Sequence, residues 1–312
     1  MNEFDLIARL TRSLPTDERT VVGVGDDCAV IDLGLPDRWL LFKTDAVVEG
    51  IHFAKTAPPE KIGHKALGRC LSDVAAMAGA PTHAMITLAL PENFDAGFVE
   101  RVYAGIKLLA ARHGVAIVGG ETTTNPERML ISVCILGTVL KGKSPLRSSA
   151  QAGDAIFVTG ELGGSAAGKH LDFEPRLAEA RWLADRFRIH AMMDISDGLA
   201  GDLRHILKAS GVGAELLSEA IPVSRAAALA SRAESSAKSP LLAALTNGED
   251  FELLFTVAGG DAVPLLNAWK KQFPGLRLSC IGRVTAEPRL TIRDRKGVQP
   301  LAVHGYVHFR KS

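Results

Sequence analysis

With 312 residues, the chain is long enough for two domains, each with a full core. Its composition, 47% hydrophobic and 23% charged, is that of an ordinary soluble globular protein. Lys+Arg number 36 and Asp+Glu 35, so no basic excess drives binding to nucleic acid or an anionic membrane surface. The longest apolar run, residues 129–140, is broken by Ser132, Gly137 and Thr138 and is too short to span a bilayer. The first residues lack the basic start and apolar core of a leader peptide. The four cysteines, Cys28, Cys70, Cys134 and Cys280, are scattered and form no C-x-x-C pair. A cytoplasmic protein with reduced thiols is the expectation.

Residues 4–12 read as a short amphipathic helix, with Phe4, Ile7, Ala8 and Leu10 as its apolar side. Val21, Val22 and Val24 then lead into Gly25-Asp26-Asp27-Cys28. Gly23-Val24-Gly25 supplies two glycines of G-x-G-x-x-G, but Cys28 takes the third position. Two acids sit where a phosphate would approach, and carboxylate repels phosphate unless a cation lies between them. Residues 28–33 and 39–44 read as strands joined by Gly34-Leu35-Pro36-Asp37, with Thr44-Asp45 closing the second. Pro58-Pro59 opens a helix whose buried side is Ile62, Ala66, Cys70 and Val74. Asp73 lies beside that face in the penultimate turn, against the negative end of the macrodipole, a placement that favours a nearby cation.

Residues 83–90 read as a strand, and Phe98, Val102, Ile106 and Leu109 mark the next helix, C-capped by Gly114. The strand 115–118 ends in Gly119-Gly120-Glu121-Thr122-Thr123, a second strand-end acid, and residues 129–139 form another strand. The polar, basic connection 141–149 marks a boundary between domains 1–140 and 141–312. After a strand at 155–159, Gly163 to Lys169 fits G-x-x-x-x-G-K, but His170 replaces the hydroxyl residue of a P-loop. A glycine-rich helix start that packs closely, or touches a nucleotide without the P-loop wrap, is the better reading. Residues 174–188 are helical, and Met192-Met193 lead to Asp194-Ile195-Ser196-Asp197-Gly198-Leu199, the densest acidic turn. A helix at 203–210 is capped by Gly211, residues 214–223 are extended, and 224–239 are helical or loose. Asn247-Gly248-Glu249-Asp250 turns into a strand at 251–257. A helix at 262–273, strands at 278–284 and 289–292, and a short aromatic tail at 303–309 complete the chain. His304 and His308 in that tail are not expected to form a metal pair.

Acids thus recur at element ends: Asp26, Asp27, Asp45, Asp73, Glu121, Asp194, Asp197 and Glu249. Carboxylates gathered by folding cannot all ionise without cations. Their oxygens, with the Thr44 and Ser196 hydroxyls beside them, are hard ligands that select Mg²⁺ or Mn²⁺ over zinc. Mg²⁺ shared between carboxylates and phosphates is the working arrangement of phosphoryl transfer. Lys43 and Arg147 are available to offset further phosphate charge. No G-x-S-x-G elbow or Ser/His/Asp set is readable.

In order and spacing, these motifs resemble the thiamine-monophosphate kinases of the aminoimidazole-ribonucleotide-synthetase-like superfamily. The resemblance covers nearly the whole chain. It rests on Gly23 to Ala29, Lys43-Thr44-Asp45 with Gly50-Ile51-His52-Phe53, and Leu71-Ser72-Asp73-Val74-Ala75-Ala76-Met77. It continues through Gly119 to Thr123, Asp194 to Leu199, Asn247 to Leu253 and Gly305-Tyr306. It implies ATP-dependent phosphorylation of thiamine monophosphate to thiamine diphosphate, with several Mg²⁺ ions and no general base. It also implies an α/β and α+β architecture in two domains. The N-terminal α/β sheet would pair with a second copy into a barrel across a homodimer, and the C-terminal α+β domain would close over the site. By matched position, Asp27, Thr44, Asp45, Asp73, Asp194 and Asp197 become metal ligands. Gly120, Arg147 and Ser196 become ATP contacts, and His52, Glu249 and Tyr306 contacts to the thiamine moiety, with Glu249 balancing the thiazolium charge.

Three positions depart from the family pattern. Glu121 joins the metal set where the family has Asp, Lys43 replaces a small polar residue, and His113, a candidate stacking partner for ATP, stands where Tyr is common. The segment 171–175 is also short. Other enzymes of the superfamily are the alternatives. A selenophosphate synthetase needs a reactive Cys followed by Lys near its start, and a hydrogenase-maturation dehydratase ends in a Cys-bearing tail; neither is present. An enzyme of the aminoimidazole-ribonucleotide-synthetase type, or a non-catalytic nucleotide-binding dimer, stays open.

Overall fold

The structure, a computed structural model, describes residues 3–233, 238–303 and 305–306, apart from the side chain of Phe4. Residues 234–237 of the 224–239 stretch, and His304, His308 and Phe309 of the tail, therefore lie outside the described residues, as does the predicted packing of Phe4. After α1 (Glu3–Leu10), the first sheet is built from β1 (Thr20–Val22), β2 (Ala29–Ile31) and β3 (Arg38–Val48). The chain then runs through α2 (Pro59–Ala76), β4 (Ala80–Leu90), α3 (Ala96–Arg112), β5 (Ala116–Thr124) and β6 (Leu130–Leu140). The strand order is β1-β2-β3-β6-β4-β5. Only β4–β5 is a parallel pair, joined by the crossover helix α3.

Strand alternation divides this sheet sharply. In β6, Ile131, Val133 and Ile135 are buried under α2 and α3, while the intervening residues are only partly covered. The opposite face carries Phe42, Met85 and Val118, all exposed.

The second sheet follows the connection at 141–154. Its elements are β7 (Ala155–Thr159), α4 (Leu177–Arg186), β8 (Ile189–Asp194), α5 (Leu199–Ser210) and β9 (Gly213–Leu217). Then come α6 (Arg225–Ala233), α7 (Pro240–Thr246), β10 (Leu253–Val257), α8 (Ala262–Gln272), β11 (Leu278–Thr285), β12 (Leu290–Asp294) and β13 (Gly297–Pro300). The order is β13-β12-β9-β11-β7-β10-β8, a mixed sheet buried on both faces at its centre. Phe157, Met192 and Phe255 face the core shared with α2 and α4; Ile156, Val158 and Met193 face a second core with α5.

Helix α2 is the hinge of the architecture. Pro59 at its first turn needs no hydrogen-bond partner for its nitrogen. A Cβ at Gly63 would sit 1.9 Å from the Val102 carbonyl, and one at Gly105 would sit 1.9 Å from that of Glu60. The two glycines let α2 and α3 cross backbone to backbone. On its other side Gly68 touches the Phe173 ring. The helix is therefore buried nearly all round, not only along Ile62, Ala66, Cys70 and Val74.

Several boundaries differ from the sequence expectation. Strand β3 runs on to Val48, so Asp45 lies within it, and β5 extends to Thr124, so Gly120 and Glu121 are internal too. Pairing with β6 and β4 carries both strands past their polar residues. The helix expected at 174–188 shortens to α4, because Ile189 already belongs to β8. The glycine-rich segment makes only two 3₁₀ turns, Ser165–Ala167 and Lys169–Leu171, and starts no α-helix. It does pack closely: a Cβ at Gly163 would meet the Ala244 nitrogen at 2.4 Å. Strand β13 was not expected, having no apolar alternation.

Candidate active site

Three elements deliver carboxylates to one buried point. Asp27 follows the turn before β2, Asp73 comes from the last turns of α2, and Asp194 ends β8. One oxygen of each lies within 4.8 Å of the others, and all three residues are buried. Two cations already serve them. Lys43 Nζ is 2.8 Å from Asp73 Oδ1, and Arg147 Nη2 is 2.6 Å from Asp27 Oδ1. Among the described residues, Asp194 has only a hydroxyl, donated by Ser72 Oγ at 2.6 Å. Three carboxylates against two cations leave one negative charge uncompensated.

The electrostatics follow this count. Burial, then the Asp27 charge, pushes Asp194 up to about 7. Burial also raises Asp73, against the pull of Lys43 and with the repulsion of Asp194. Burial alone would lower Lys43, but Asp73 and Asp45 hold it above its ordinary value. Asp26 bonds the Arg147 backbone N–H at 3.1 Å, and burial and its neighbour Asp27 raise it to about 6. Behind Asp194, buried Asp202 accepts the Asp197 N–H at 3.1 Å. Burial, then Asp197, lifts Asp202 well above the usual carboxylate range. Burial thus favours the neutral carboxyls here, a divalent cation would favour the ionised ones, and the donors are all hard oxygens. The residues present fit Mg²⁺.

Other expected residues are placed differently. Asp45 faces α2 but is taken by Arg69, with Nε 2.8 Å from Oδ2. Thr44, one residue away, points to the opposite sheet face, where its Oγ1 is 3.4 Å from Ser132 Oγ. Glu121 is exposed on β5 and accepts its neighbour's N–H at 3.1 Å. Gly120 is where β5 meets β4, since a Cβ there would lie 1.8 Å from the Ile86 carbonyl. His113 ends α3 with Nε2 3.2 Å from Glu174 Oε1.

One turn beyond Asp194, a cleft of about 270 Å³ is lined by His52, Arg69, Ser196, Asp197, Glu249 and Tyr306, among others. The tail is pinned to its wall by the Tyr306 N–H on the Asp197 carbonyl at 2.7 Å. Glu249 adopts φ +65°, unusual outside glycine, held by its N–H on the Ser196 carbonyl at 2.7 Å. Burial would raise its carboxyl, but His170 and Lys65 hold it at about 2. Burial and Arg69 lower His52 to about 4, so the ring is neutral at pH 7.

Against known proteins, residues 25–139 match the N-terminal domain of AIR synthase related protein and residues 151–295 its C-terminal domain. The thiamine-monophosphate kinase of Rhodopirellula baltica is 39% identical over 307 residues, covering 96% of this chain and 93% of that protein. This chain belongs to the thiamine-monophosphate kinase family. The Aquifex aeolicus member is 35% identical over 327 residues, covering 99% and 98% of the two chains. The structure of AaThiL complexed with AMPPCP and TMP superposes with a TM-score of 0.81 at 32% identity, covering 99% of this chain and 97% of that one. The kinase thus has the two-domain fold of its family, with a mixed sheet in each half.

Sequence reading missed Lys65, Arg69, Ser72, His170 and Asp202. Each meets its site partner through the fold rather than along the chain, except Asp202. A signal was present for Lys65: Gly63 and Gly68 inside one helix mark close approaches on two sides, hence a helix with little solvent-facing surface for a lysine to reach.

Proposed function

We propose that this kinase transfers the γ-phosphoryl group of ATP to thiamine monophosphate, yielding thiamine diphosphate and ADP. The observation that carries the reading is the buried Asp27–Asp73–Asp194 trio standing one turn from the Glu249 cleft. It is supported by a relative of the same fold complexed with AMPPCP and TMP. Mg²⁺ bound at the trio would offset charge between donor and acceptor phosphates. Asp27, Asp73 and Asp194 form the core of the proposed metal set, with Asp45, Asp197 and Glu121 as outer candidates; Thr44, whose hydroxyl points to the opposite sheet face, is left out of it. More than one ion is part of the proposal.

The chain's own residues then have defined tasks. Arg147, Ser196, Gly120 and His113 are assigned to ATP, and His52, Glu249 and Tyr306 to the ring end of the acceptor. The acceptor is a phosphate monoester whose second pKa is about 6, so its oxygen is largely ionised at pH 7 and needs no general base. Direct in-line transfer without a phosphoenzyme follows, with catalysis coming from alignment and fixed charge. The exposed outer face of the first sheet is assigned to a homodimer. The protein is assigned to the cytoplasm, where its four scattered cysteines would stay reduced; no described helix is long and apolar enough to cross a membrane.

The deciding experiment is an ADP-release assay with ATP and Mg²⁺, offering thiamine, thiamine monophosphate and an aminoimidazole precursor in parallel. Turnover is expected with thiamine monophosphate alone. ADP release only with the aminoimidazole precursor would replace this reading with the ribonucleotide-cyclising alternative, and none with any acceptor would sink it.

A further inference from the structure

Lys65 is a fully buried cation that the phosphoryl-transfer reading leaves without a task. Its ammonium has three donors and three polar neighbours: Glu249 Oε1 at 2.5 Å, His170 Nδ1 at 2.8 Å and the His52 carbonyl. Lys65, Arg69 and Asp73 are four residues apart on α2, so they stack along one side of the helix. Eight residues of helix span about 12 Å. One stripe therefore runs from the carboxylate trio, past Arg69, to the Glu249 end of the cleft. It suits a substrate with a phosphate at one end and a ring at the other.

Glu249 is not an unpaired counter-ion. Its Oε1 is taken by Lys65, with Arg69 Nη1 at 3.9 Å, so the pair carries no net charge. What remains is Oε2, 3.2 Å from His170 Nδ1, on a side chain that is 29% exposed at the cleft. His170 Nδ1 lies within hydrogen-bond reach of both Lys65 Nζ and Glu249 Oε2, so the ring anchors one side of Oε2 and leaves its other lone pair for the cleft. The backbone below is fixed as well, with the Ser165 hydroxyl donating to the Glu249 carbonyl and the Glu249 N–H donating to Ser196.

We propose that Lys65 is a positioning residue that makes Glu249 an oriented hydrogen-bond acceptor for an N–H group on the ring end of the substrate, with His170 as its further anchor. This rests on the reading that the acceptor is thiamine monophosphate, whose pyrimidine carries an exocyclic amino group. A site built around a substrate donor can reject an analogue lacking it by as much as roughly 10⁴-fold. Discrimination therefore depends on Lys65, although Lys65 never touches the substrate.

The test compares kcat/KM for thiamine monophosphate and for oxythiamine monophosphate, in which that amino group is replaced by oxygen. The wild-type enzyme should favour the amino form at least about 100-fold. Lys65→Met and Glu249→Gln should each cut that ratio at least tenfold, and the double variant should cut it no further than Glu249→Gln alone. A Lys65→Met enzyme with the wild-type ratio overturns the proposal, as does a wild-type enzyme that accepts both compounds equally. If Lys65→Met does not fold, His170→Ala takes its place, and an unchanged ratio there overturns it equally. Lack of any turnover of thiamine monophosphate by the wild type fails the functional reading itself, a separate result.

Discussion

Arg147, from the connection between the two sheets, holds Asp27 of the first with Nη2 2.6 Å from Oδ1. The Arg147 carbonyl accepts from Ser210 of α5 at 2.9 Å, so one residue ties the carboxylate trio to the second domain. The pair is largely buried, and removing one partner of such a pair costs about 3–5 kcal/mol because the other charge is stranded. Arg147→Met should lower the melting temperature measurably in metal-free buffer. Millimolar Mg²⁺, replacing the lost charge beside Asp27, should restore part of the loss. A melting curve that Mg²⁺ shifts no more than it shifts the wild type would falsify the link between Arg147 and the metal site.

The trio itself yields a second prediction, from its charge count. Asp194→Asn removes the carboxylate with no cationic partner while keeping an acceptor for Ser72. Without metal the variant should be as stable as the wild type or more so. With Mg²⁺ it should lose most of the ligand-linked rise in melting temperature. Turnover should fall by about 10²- to 10³-fold, on the scale of losing one fixed electrostatic element of a transition state. Thermal melts with and without Mg²⁺ read the first effect, and an undiminished Mg²⁺ shift would remove Asp194 from the metal set.

A third prediction concerns pH. Asp250 accepts the Gly163 N–H at 2.8 Å through Oδ2, while Oδ1 has no partner among the described residues. Burial pushes it up to about 7. Its folded value therefore exceeds its unfolded one. The stability it contributes is complete below pH 4 and is lost as pH rises through 7. The loss amounts to at most roughly 4 kcal/mol at about 1.4 kcal/mol per pKa unit. Asp250→Asn, isosteric with the protonated acid, should match the wild type at about pH 4 and exceed it at about pH 8. Denaturant melts at the two pH values decide it; parallel behaviour across that range would mean that Asp250 is ionised throughout.

How much of this was legible in the chain depends on the range of each interaction. Asp27, Asp73 and Asp194 were readable because acids at element ends break local preference, and three such breaks in one chain suggested a shared cause. The strand ends were less readable. Thr44 and Asp45 looked like a terminus, yet β6 pairs with β3 through Val48, and that pairing reverses the roles of neighbours: Asp45 turns inward and Thr44 outward. Lys65, Arg69 and Ser72 were missed because a polar residue on a helix is ordinarily solvated. That side is instead covered by distant segments, with Lys65 against His52, His170 and Glu249, Arg69 against Asp45 and Ser72 against Asp194. The glycine-rich segment misled for a related reason. Gly163 and Gly164 permit close packing on Ala244 and Ser224, a demand that leaves the same residue pattern as a phosphate loop.

The last prediction concerns the outer face of the first sheet. Phe42 is 44% exposed, Met85 50% and Val118 59%, although they lie on central and edge strands of a sheet whose other face is fully packed. The register places Thr44 and Met85 opposite Cys134, and Phe42 opposite Leu136, so these side chains share one surface. An apolar strip of this kind on a β-sheet is a cost in water unless something covers it. A second copy, laying the same face against it, is the occupant proposed above. Met85→Asp would bury a carboxylate in the middle of that contact, at a cost of several kcal/mol per subunit, while leaving the isolated domain unchanged, because position 85 faces away from α2 and α3. Sedimentation equilibrium at micromolar concentration should find a dimer for the wild type and a monomer for Met85→Asp, with equal far-UV circular dichroism. If the variant keeps the wild-type mass, the face is not the dimer contact, and the pairing must be sought elsewhere on the chain.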